Sequence, residues 1–448
     1  MTQSAIAFIV GIVILLFLLL KTKLNAFISL IIASVFIGVA SGIGGVETMS
    51  AIKSGFSSTS GSVGIVIIFG TILGLYLEKS KAANQLAHTI LKAVGEKNST
   101  LAMSISGFIV SIPVFCDVAQ VMLAPLYKSI CKRKKLPVGP IATALALGLL
   151  VSNSLVPPTP GPIAVAGLLN LDLGRAIGYG LLVGVFAMIC GWAYCQFYLS
   201  KKPESWYSYA DESVLADVRS GETDKEEDLV MPNFLVAILP ILIPIILIML
   251  NTTCSVLFDS NSSIVRITKF LGESNMAIMI GVVSAIVLLK KYLKSETIYE
   301  VMNEALKTSG MIIFITAAGG SLAKVISATG MDATIADVLI ASHLPIVIIP
   351  FLIAGFSKFV QGSGSVAMIM AATLCAPLVT TAGVDPVLIF LSACAGSSFG
   401  SQINNSFFWV FVNLNGYDTK TGLKTLCVGQ QIIGIAGLIG TLVVSMFI

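Results

Sequence analysis

Residues 101–127 read LAMSISGFIVSIPVFCDVAQVMLAPLY, an apolar run that contains Pro113 and Asp117. Lysines stand on both flanks, with Lys97 before the run and Lys128 after it. Because basic residues collect on the cytoplasmic side of a membrane, a run with two basic flanks returns to the side it left. Two crossings need roughly 40 residues, and this run has 27. We therefore predict a helical hairpin that enters from the cytoplasm and turns inside the membrane at the proline.

The composition of the whole chain places this hairpin in a membrane protein. The chain has 448 residues, of which 56% are hydrophobic and 11% charged, against about 25% charged in a soluble domain. Its mean hydropathy is +0.95. A soluble enzyme, a nucleic-acid binder and a disordered scaffold are excluded, and the net charge of +4 is too small to indicate a polyanionic partner.

Further apolar runs are long enough to span a bilayer, and they occur at 5–20 with 25–43, 62–77, 176–199, 233–250, 275–290, 309–327 and 425–448. Assigning Lys21 and Lys23 to the cytoplasm and alternating from there puts 21 of the 27 Lys and Arg residues inside and four outside. The run at 5–20 has no basic residue before it, so we interpret it as a transmembrane helix and not as a removable signal. The prediction is a multi-pass membrane protein with both termini outside.

Cysteine and histidine spacing indicates no metal site. The eight cysteines contain no C-x-x-C pair, and His88 and His343 are far apart. We predict no metal and no cofactor.

One polar stretch divides the chain. Residues 201–230 are rich in charge and lack an apolar period, which is typical of a solvated connector. We predict a cytoplasmic connector between an N-terminal half, 1–200, and a C-terminal half, 231–448.

The two halves resemble each other. Gly64 begins GIVIIF and Gly310 begins GMIIFI, 246 residues later, while Asp117 begins DVAQVM and Ser365 begins SVAMIM, 248 residues later. The charge pattern runs the first pair of helices in opposite directions. This predicts an inverted-topology repeat, which is the construction of many secondary transporters.

The repeat predicts a second hairpin and two interrupted spans. The second hairpin lies at 345–380 with its tip at 360–365, and the interrupted spans at 152–162 and 396–405 contain prolines or glycines that break a helix. The predicted fold is an all-α polytopic membrane protein with two inverted-topology repeats, each with a re-entrant helical hairpin and a broken transmembrane helix. We expect the four breaks to meet near the middle of the bilayer.

Helix breaks expose N–H groups that favour anions, and hydroxyl and amide side chains can bind the hydroxyls of a substrate. The candidate substrate-binding residues are Asn153, Ser154, Thr159, Gln361, Gly362, Ser363, Ser365, Ser397, Ser398, Asn404 and Asn405, together with Lys358. The alternative is that these polar side chains only satisfy the broken backbone.

Three features leave alternatives open. Asp117 is either the proton-coupling group or a helix cap equivalent to Ser365 in the repeat. Lys358 attracts a substrate carboxylate, pairs with an acid or extends to the membrane surface. Glycine pairs such as Gly70 and Gly74 fit either close helix packing or a subunit contact, as in a homodimer.

The motifs resemble those of the gluconate permeases, a family of proton symporters for gluconate and related sugar acids. The resemblance covers nearly the whole chain and is sharpest in GIVIIFGTILG at 64–74, VFCDV at 114–118, LVPPTPGP at 155–162, QGSGSVA at 361–367 and QINNSFFW at 402–409. It implies a secondary active transporter that imports a sugar acid or small hydroxycarboxylate with protons, by an elevator-like alternating-access motion. The partners it implies are an anionic small molecule, protons and the bilayer, and the localisation it implies is the bacterial plasma (inner) membrane.

Four positions depart from the family pattern. Asp117 stands where the family usually has Glu, and Thr159 stands where it has His. In the late motif, which commonly reads His-x-Asn-Asp, this chain has Gln402 in place of His and Asn405 in place of Asp. A smaller hydroxy acid such as glycerate, with different coupling, is therefore an alternative substrate. An inorganic-ion antiporter is a second alternative, although such proteins carry more intramembrane carboxylates. A membrane-embedded enzyme would need a nucleophile and base that the sequence lacks.

Overall fold

The structure is a computed structural model, and it describes residues 3–22, 24–95, 98–134, 136–201, 231–258, 262–293, 298–331, 345–402 and 405–448. Within those ranges all regular secondary structure is helical. Seven helices are long and apolar enough to cross a membrane, or eight if the bent helix at 45–79 counts as one span. The predicted all-α polytopic class is confirmed. The predicted connector at 202–230 lies outside the described residues, so the division into two halves stays a prediction.

The first half begins with three apolar helices and continues into the predicted hairpin and broken span. Its helices are α1 (Gln3–Lys21), α2 (Ala26–Ala40), α3 (Gly45–Lys79), α4 (Ala82–Val94), α5 (Ser99–Val110), α6 (Cys116–Lys134), α7 (Val138–Leu155), α8 (Pro160–Leu168) and α9 (Leu173–Ala193), the last of which continues as a π-helical turn at Tyr194–Tyr198.

The second half contains α10 (Phe234–Leu257), α11 (Ser263–Leu271), α12 (Ser274–Leu289), α13 (Ile298–Ala328), α14 (Ile348–Gln361), α15 (Gly364–Cys375), α16 (Pro377–Thr381), α17 (Pro386–Ser398), α18 (Ser406–Asn415), α19 (Thr419–Gly422) and, after another π-helical turn, α20 (Val428–Val444). Helices α3 and α13 are longer than the predicted runs at 62–77 and 309–327, because less apolar turns precede each run and continue its helix.

The repeat-related helices α3 and α13 pack against each other in opposite directions. Lys79 at the end of α3 forms a 2.8 Å ion pair with Glu304 near the start of α13. At the other end, a Cβ added to Gly55 of α3 would lie 2.4 Å from the carbonyl oxygen of Gly320 of α13. The pair is therefore antiparallel, as an inverted repeat requires.

Matching helix caps support the same correspondence. The carboxylate of Asp172 accepts from the N–H of Arg175, and that of Asp418 accepts from the N–H of Thr421, each at 2.9 Å. These aspartates are 246 residues apart, and each caps a helix that contains a π-helical turn.

Both predicted hairpins are present. Helix α5 has 12 residues and α14 has 14, so at 1.5 Å per residue they are about 18 and 21 Å long, too short for a hydrocarbon core of about 30 Å. Each is followed by a break, at 111–115 and 362–363, and then by a second arm. Gly362 ends α14 with φ +84°, a left-handed conformation that glycine adopts without strain.

The two broken spans form the centre of the molecule. Helices α7 and α17 are buried along almost their whole length, whereas α9 and α12 expose apolar side chains such as Leu182 and Val287. An all-round apolar helix that is buried on every side is typical of a protein interior, and exposed apolar rows are typical of lipid-facing surfaces.

Glycines bring the breaks close to their neighbours. A Cβ on Gly74 would lie 2.1 Å from the carbonyl oxygen of Pro113 in the first hairpin tip, and one on Gly180 would lie 2.3 Å from the carbonyl oxygen of Leu155. The glycine pairs that left two interpretations open therefore serve close packing within the chain.

Candidate functional site

One cavity of about 390 Å³ brings the four helix breaks together. Residues from both hairpin tips and from both broken spans line its wall. The predicted residues on that wall are Asp117, Asn153, Ser154, Lys358, Gly362, Ser363, Ser365, Ser397, Ser398 and Asn405. The expectation that the breaks meet is confirmed, and their depth in the bilayer stays a prediction.

Four helices begin at this cavity. Its wall includes Cys116 at the start of α6, Pro160 at the start of α8, Gly364 at the start of α15 and Asn405, the N-cap of α18. Each helix start carries about half a positive charge from its unpaired N–H groups. Four of them at one cavity create a region that favours an anion.

Asp117 lies in the first turn of α6, as its second residue, and Ser365 is likewise the second residue of α15. The N-cap of α15 is Ser363, whose hydroxyl accepts from the N–H of Val366 at 3.4 Å. The alternative that Asp117 and Ser365 are equivalent N-caps does not fit, because each helix begins two residues earlier than that role requires.

The carboxylate of Asp117 is sparsely paired. One oxygen accepts a weak hydrogen bond from the Cys116 thiol at 3.8 Å. The other oxygen is buried and has no hydrogen-bond partner among the described residues. A buried carboxylate oxygen without a partner is costly, which is unusual for a residue that only stabilises a helix.

Lys358 lies on α14 and is 5% exposed, so its side chain does not extend to the membrane surface. Its Nζ would be 3.1 Å from a Cβ added to Gly364, which places the ammonium at the start of α15. Among the described residues no ion pair within 4.0 Å involves Lys358. Lys358 and Asp117 are the one cation and the one carboxylate on the described wall of the cavity.

Three predicted residues are not on the described wall. Thr159 is the N-cap of α8, and its buried hydroxyl donates to the carbonyl of Val156 at 2.7 Å. Its hydrogen bond therefore satisfies the backbone of the break itself. Asn404 lies outside the described residues, as does the side chain of Gln361.

Two glutamines of α20, Gln430 and Gln431, were not among the predicted site residues. Gln430 lines the cavity, is 2% exposed and has a side-chain oxygen without a partner in the described part of the chain. The next residue, Gln431, accepts from the N–H of Gly400 at 3.1 Å and so satisfies the second broken span. Two adjacent glutamines inside the apolar run 425–448 were the available signal, since polar residues within a span face protein or water.

In the described ranges, no group of three or more His, Cys, Asp or Glu side chains is placed to hold a metal ion. All eight cysteines are free thiols.

Comparison with known proteins identifies the family. The family described as GntP family permease matches residues 4–447. The chain belongs to the GntP family of permeases. It is 34% identical over 444 residues to an uncharacterized permease of Haemophilus influenzae, with 97% of this chain and 90% of the relative covered. It is 31% identical over 447 residues to a high-affinity gluconate transporter of Escherichia coli, with 97% of each covered.

Two solved structures share the fold at 14% identity. The YdaH transporter of Alcanivorax borkumensis aligns with a TM-score of 0.61 over 89% of this chain and 88% of that one. MtrF of Neisseria gonorrhoeae aligns with a TM-score of 0.69 over 95% of this chain and 96% of that one. Together, the family and the apolar spans make this GntP-family chain a multi-pass transporter of the bacterial inner membrane, and not an enzyme.

Proposed function

We propose that this permease imports a sugar acid or another small hydroxycarboxylate, gluconate-like in chemistry, together with protons. The observation that carries the proposal is the cavity in which four helix starts, one lysine and several hydroxyl and amide side chains converge. Its volume of about 390 Å³ is at the small end of ligand pockets, which suits a compact acid and not an extended molecule.

The substrate carboxylate binds beside Lys358 and the start of α15. A lysine ammonium and helix N–H groups both favour a carboxylate, and charge-assisted hydrogen bonds are the stronger kind. The ammonium lies next to Gly364, so the two sources of positive potential act on the same point.

The substrate hydroxyls bind to the broken spans. Asn153 and Ser154 end α7, Ser397 and Ser398 end α17, and all four line the cavity. Hydroxyl and amide groups both donate and accept hydrogen bonds, which matches a polyhydroxylated chain. Gln430 adds an unpaired acceptor on the same wall.

The names of the relatives support this substrate class. Besides the gluconate transporter of Escherichia coli, they include a gluconate permease of Bacillus subtilis at 28% identity and an L-idonate transporter of Escherichia coli at 27% identity. Thr159 is turned into its own break, so the substrate contacts only the other polar residues of that span. This arrangement keeps glycerate and similar short acids among the candidates.

In this proposal Asp117 carries the coupled proton. It is the one carboxylate on the described wall, and its unpaired oxygen is buried. A protonated carboxyl donates a hydrogen bond to a bound anion, whereas a carboxylate repels it, so protonation and substrate binding favour each other. In the same proposal, transport proceeds by elevator-like alternating access, in which the hairpins and broken spans move as one body. Both termini lie outside the cell, and the protein forms a homodimer.

Uptake into proteoliposomes tests the proposal. With an acidic exterior, labelled gluconate should accumulate inside, and a protonophore should abolish the accumulation. Counterflow with gluconate, idonate, glycerate, phosphate and arsenite identifies the substrate. Exchange of inorganic ions without exchange of any hydroxy acid would replace the proposal with an inorganic-ion antiporter.

A further inference from the structure

A buried stripe of α6 runs from the cavity toward the basic end of that helix. Asp117, Gln120, Ala124, Tyr127 and Cys131 are spaced at three or four residues and therefore share one face. Gln120, Tyr127 and Cys131 have no measurable exposure, and Ala124 is 3% exposed. Polar groups on a buried face need partners, so this stripe requires an explanation.

At the cavity end of the stripe, Asp117 and Gln120 have buried polar atoms without hydrogen-bond partners among the described residues. One oxygen of Asp117 and both polar atoms of the Gln120 amide are buried without a hydrogen-bond partner among the described residues. Leaving three such atoms unpaired would cost roughly 1–3 kcal/mol each. Buried water that bonds two to four polar atoms is the usual solution.

At the basic end of the stripe, the polar side chains form hydrogen bonds with α18. The Tyr127 hydroxyl donates to the side-chain oxygen of Asn415 at 2.8 Å, and the Asn415 amide donates to the carbonyl of Phe411 at 2.8 Å. The next residue, Lys128, donates to the carbonyl of Leu414. These bonds fix the end of α6 to the end of α18, beside Lys132 and Lys134.

Gln120 and Tyr127 approach each other across Ala124. Long side chains of a helix lean toward its N-terminus, which directs the Tyr127 hydroxyl back along the stripe. The Gln120 amide comes near that hydroxyl but forms no hydrogen bond of good geometry with it. Between them stands alanine, whose side chain ends at Cβ.

We propose that this stripe of α6 is the path by which Asp117 exchanges its proton with the aqueous phase, separately from the cavity through which the substrate passes. Water bound by Gln120 takes the proton from the Asp117 carboxyl and passes it to the Tyr127 oxygen. The Tyr127 hydroxyl turns from Asn415 and releases the proton it held to a second water on the side of Lys132 and Lys134, and that water releases the proton to the aqueous phase. Each group returns to its starting state, so the net change is one proton moved and one carboxylate formed. This inference rests on the proposed function.

Other titratable groups face the two ends of the path. Cys116 and Lys358 share the cavity with Asp117, and Cys131 and Tyr417 lie at the Tyr127 end. Lys358 interacts electrostatically with Asp117 and Cys116 at the cavity end of the path, and Gln120 is not on the described cavity wall, so a variant of Gln120 retains the cation that attracts the substrate.

Gln120→Leu and Tyr127→Phe in full-length protein test the path. Both remove water-binding groups without touching the cavity wall. We expect each to lose most of the gluconate accumulation that a pH gradient drives, while gluconate counterflow at symmetrical pH stays near the wild-type rate. Thr143→Val is the matched control, because Thr143 of α7 is also fully buried with an unpaired hydroxyl but lies off the stripe. It should keep both activities.

The outcomes separate the two proposals. If wild-type protein shows no accumulation driven by the pH gradient, the proton coupling of the proposed function fails. If wild-type protein accumulates gluconate and Gln120→Leu does so equally well, the path is refuted. An equal loss of counterflow and accumulation in the Gln120 and Tyr127 variants would also refute it, since that pattern indicates a structural role.

Discussion

The two hairpin tips are built alike but contact different neighbours. In the first half, Gly74 of α3 packs so closely on the first tip that a Cβ would lie 2.1 Å from the carbonyl oxygen of Pro113. The equivalent residue in the second half is Gly320 of α13, which lies 246 residues later. It packs instead on Thr59 of α3, at 1.9 Å from the hydroxyl for an added Cβ.

The second tip has open space on two sides. Ser363 and Ser365 line the candidate substrate cavity, and they also line a second cavity of about 430 Å³ bounded by α13 and by Asn25 at the start of α2. The first tip is therefore clamped by α3, whereas the second tip borders a cavity on two sides. The repeat therefore preserves the order of elements but not the contacts at their tips.

The chemistry of the tips differs as well. Asp117, in the second arm of the first hairpin, carries a carboxylate. The equivalent residue in the second hairpin, Ser365, carries a hydroxyl. Lys358 adds a cation to the second hairpin.

Asp117→Asn should have the largest effect. Asparagine keeps the size and the hydrogen-bonding capacity but cannot release a proton. We expect accumulation of gluconate driven by a pH gradient to vanish while counterflow persists, because exchange needs no net proton movement. The measurement is uptake of labelled gluconate into proteoliposomes with and without the gradient. Uphill transport by the variant would exclude Asp117 as the coupling group.

Lys358→Met should have the second-largest effect and weaken the binding of substrate. Methionine keeps much of the apolar stem but removes the one cation on the described cavity wall. Loss of a charge-assisted hydrogen bond costs about 1.5–3 kcal/mol, which corresponds to roughly 10- to 100-fold in KM. Lys358→Arg is the control that retains charge. An unchanged KM for Lys358→Met would show that the helix starts alone attract the carboxylate.

Gly74→Ala should disturb the clamp on the first tip. The added methyl group would overlap the Pro113 carbonyl, and overpacking costs about 1–3 kcal/mol. We expect a lower Tm in detergent and slower transport. Gly64→Ala on the same helix is the matched control, since its nearest neighbour would be 3.9 Å away. Equal Tm values for the two variants would mean that the tip adjusts freely.

Ser365→Ala should have the smallest effect and sharpen the contrast with Asp117. The change removes one neutral hydroxyl from the cavity, worth about 0.5–1.5 kcal/mol or roughly 2- to 10-fold in KM. Dependence on the pH gradient should remain, because the hydroxyl carries no proton that titrates. A KM that rises with an intact gradient response is the expected result. Loss of the gradient response would place coupling at both tips.

Local chemistry made much of the fold predictable. Pro113, the prolines after Leu155 and Gly362 each break a helix for reasons that act within a few residues. The basic residues on both flanks of the first hairpin also predicted that the chain returns there to the side of the membrane it left. Lys358 and most of the predicted polar residues then proved to line one cavity, because residues next to a break inside a membrane must face protein or water.

Other features depend on packing between distant segments. Gln430 reaches the cavity only because α20 packs against α17 and α9, which are far away in sequence. The cap of α15 fell to Ser363 and not to Ser365, since helix ends shift by a residue or two with tertiary context. Thr159 turned inward to its own break.

By itself, the sequence determined a polytopic all-α chain, four helix breaks and a repeated order of elements, because hydropathy, proline and glycine act locally or through composition. The tertiary structure alone decided which tip is clamped by Gly74, that Gln120 and Tyr127 share a buried stripe with Asp117, and that Lys358 points to the start of α15. These depend on side chains from both halves meeting at one place, and no local rule of helix formation specifies which distant side chains meet there.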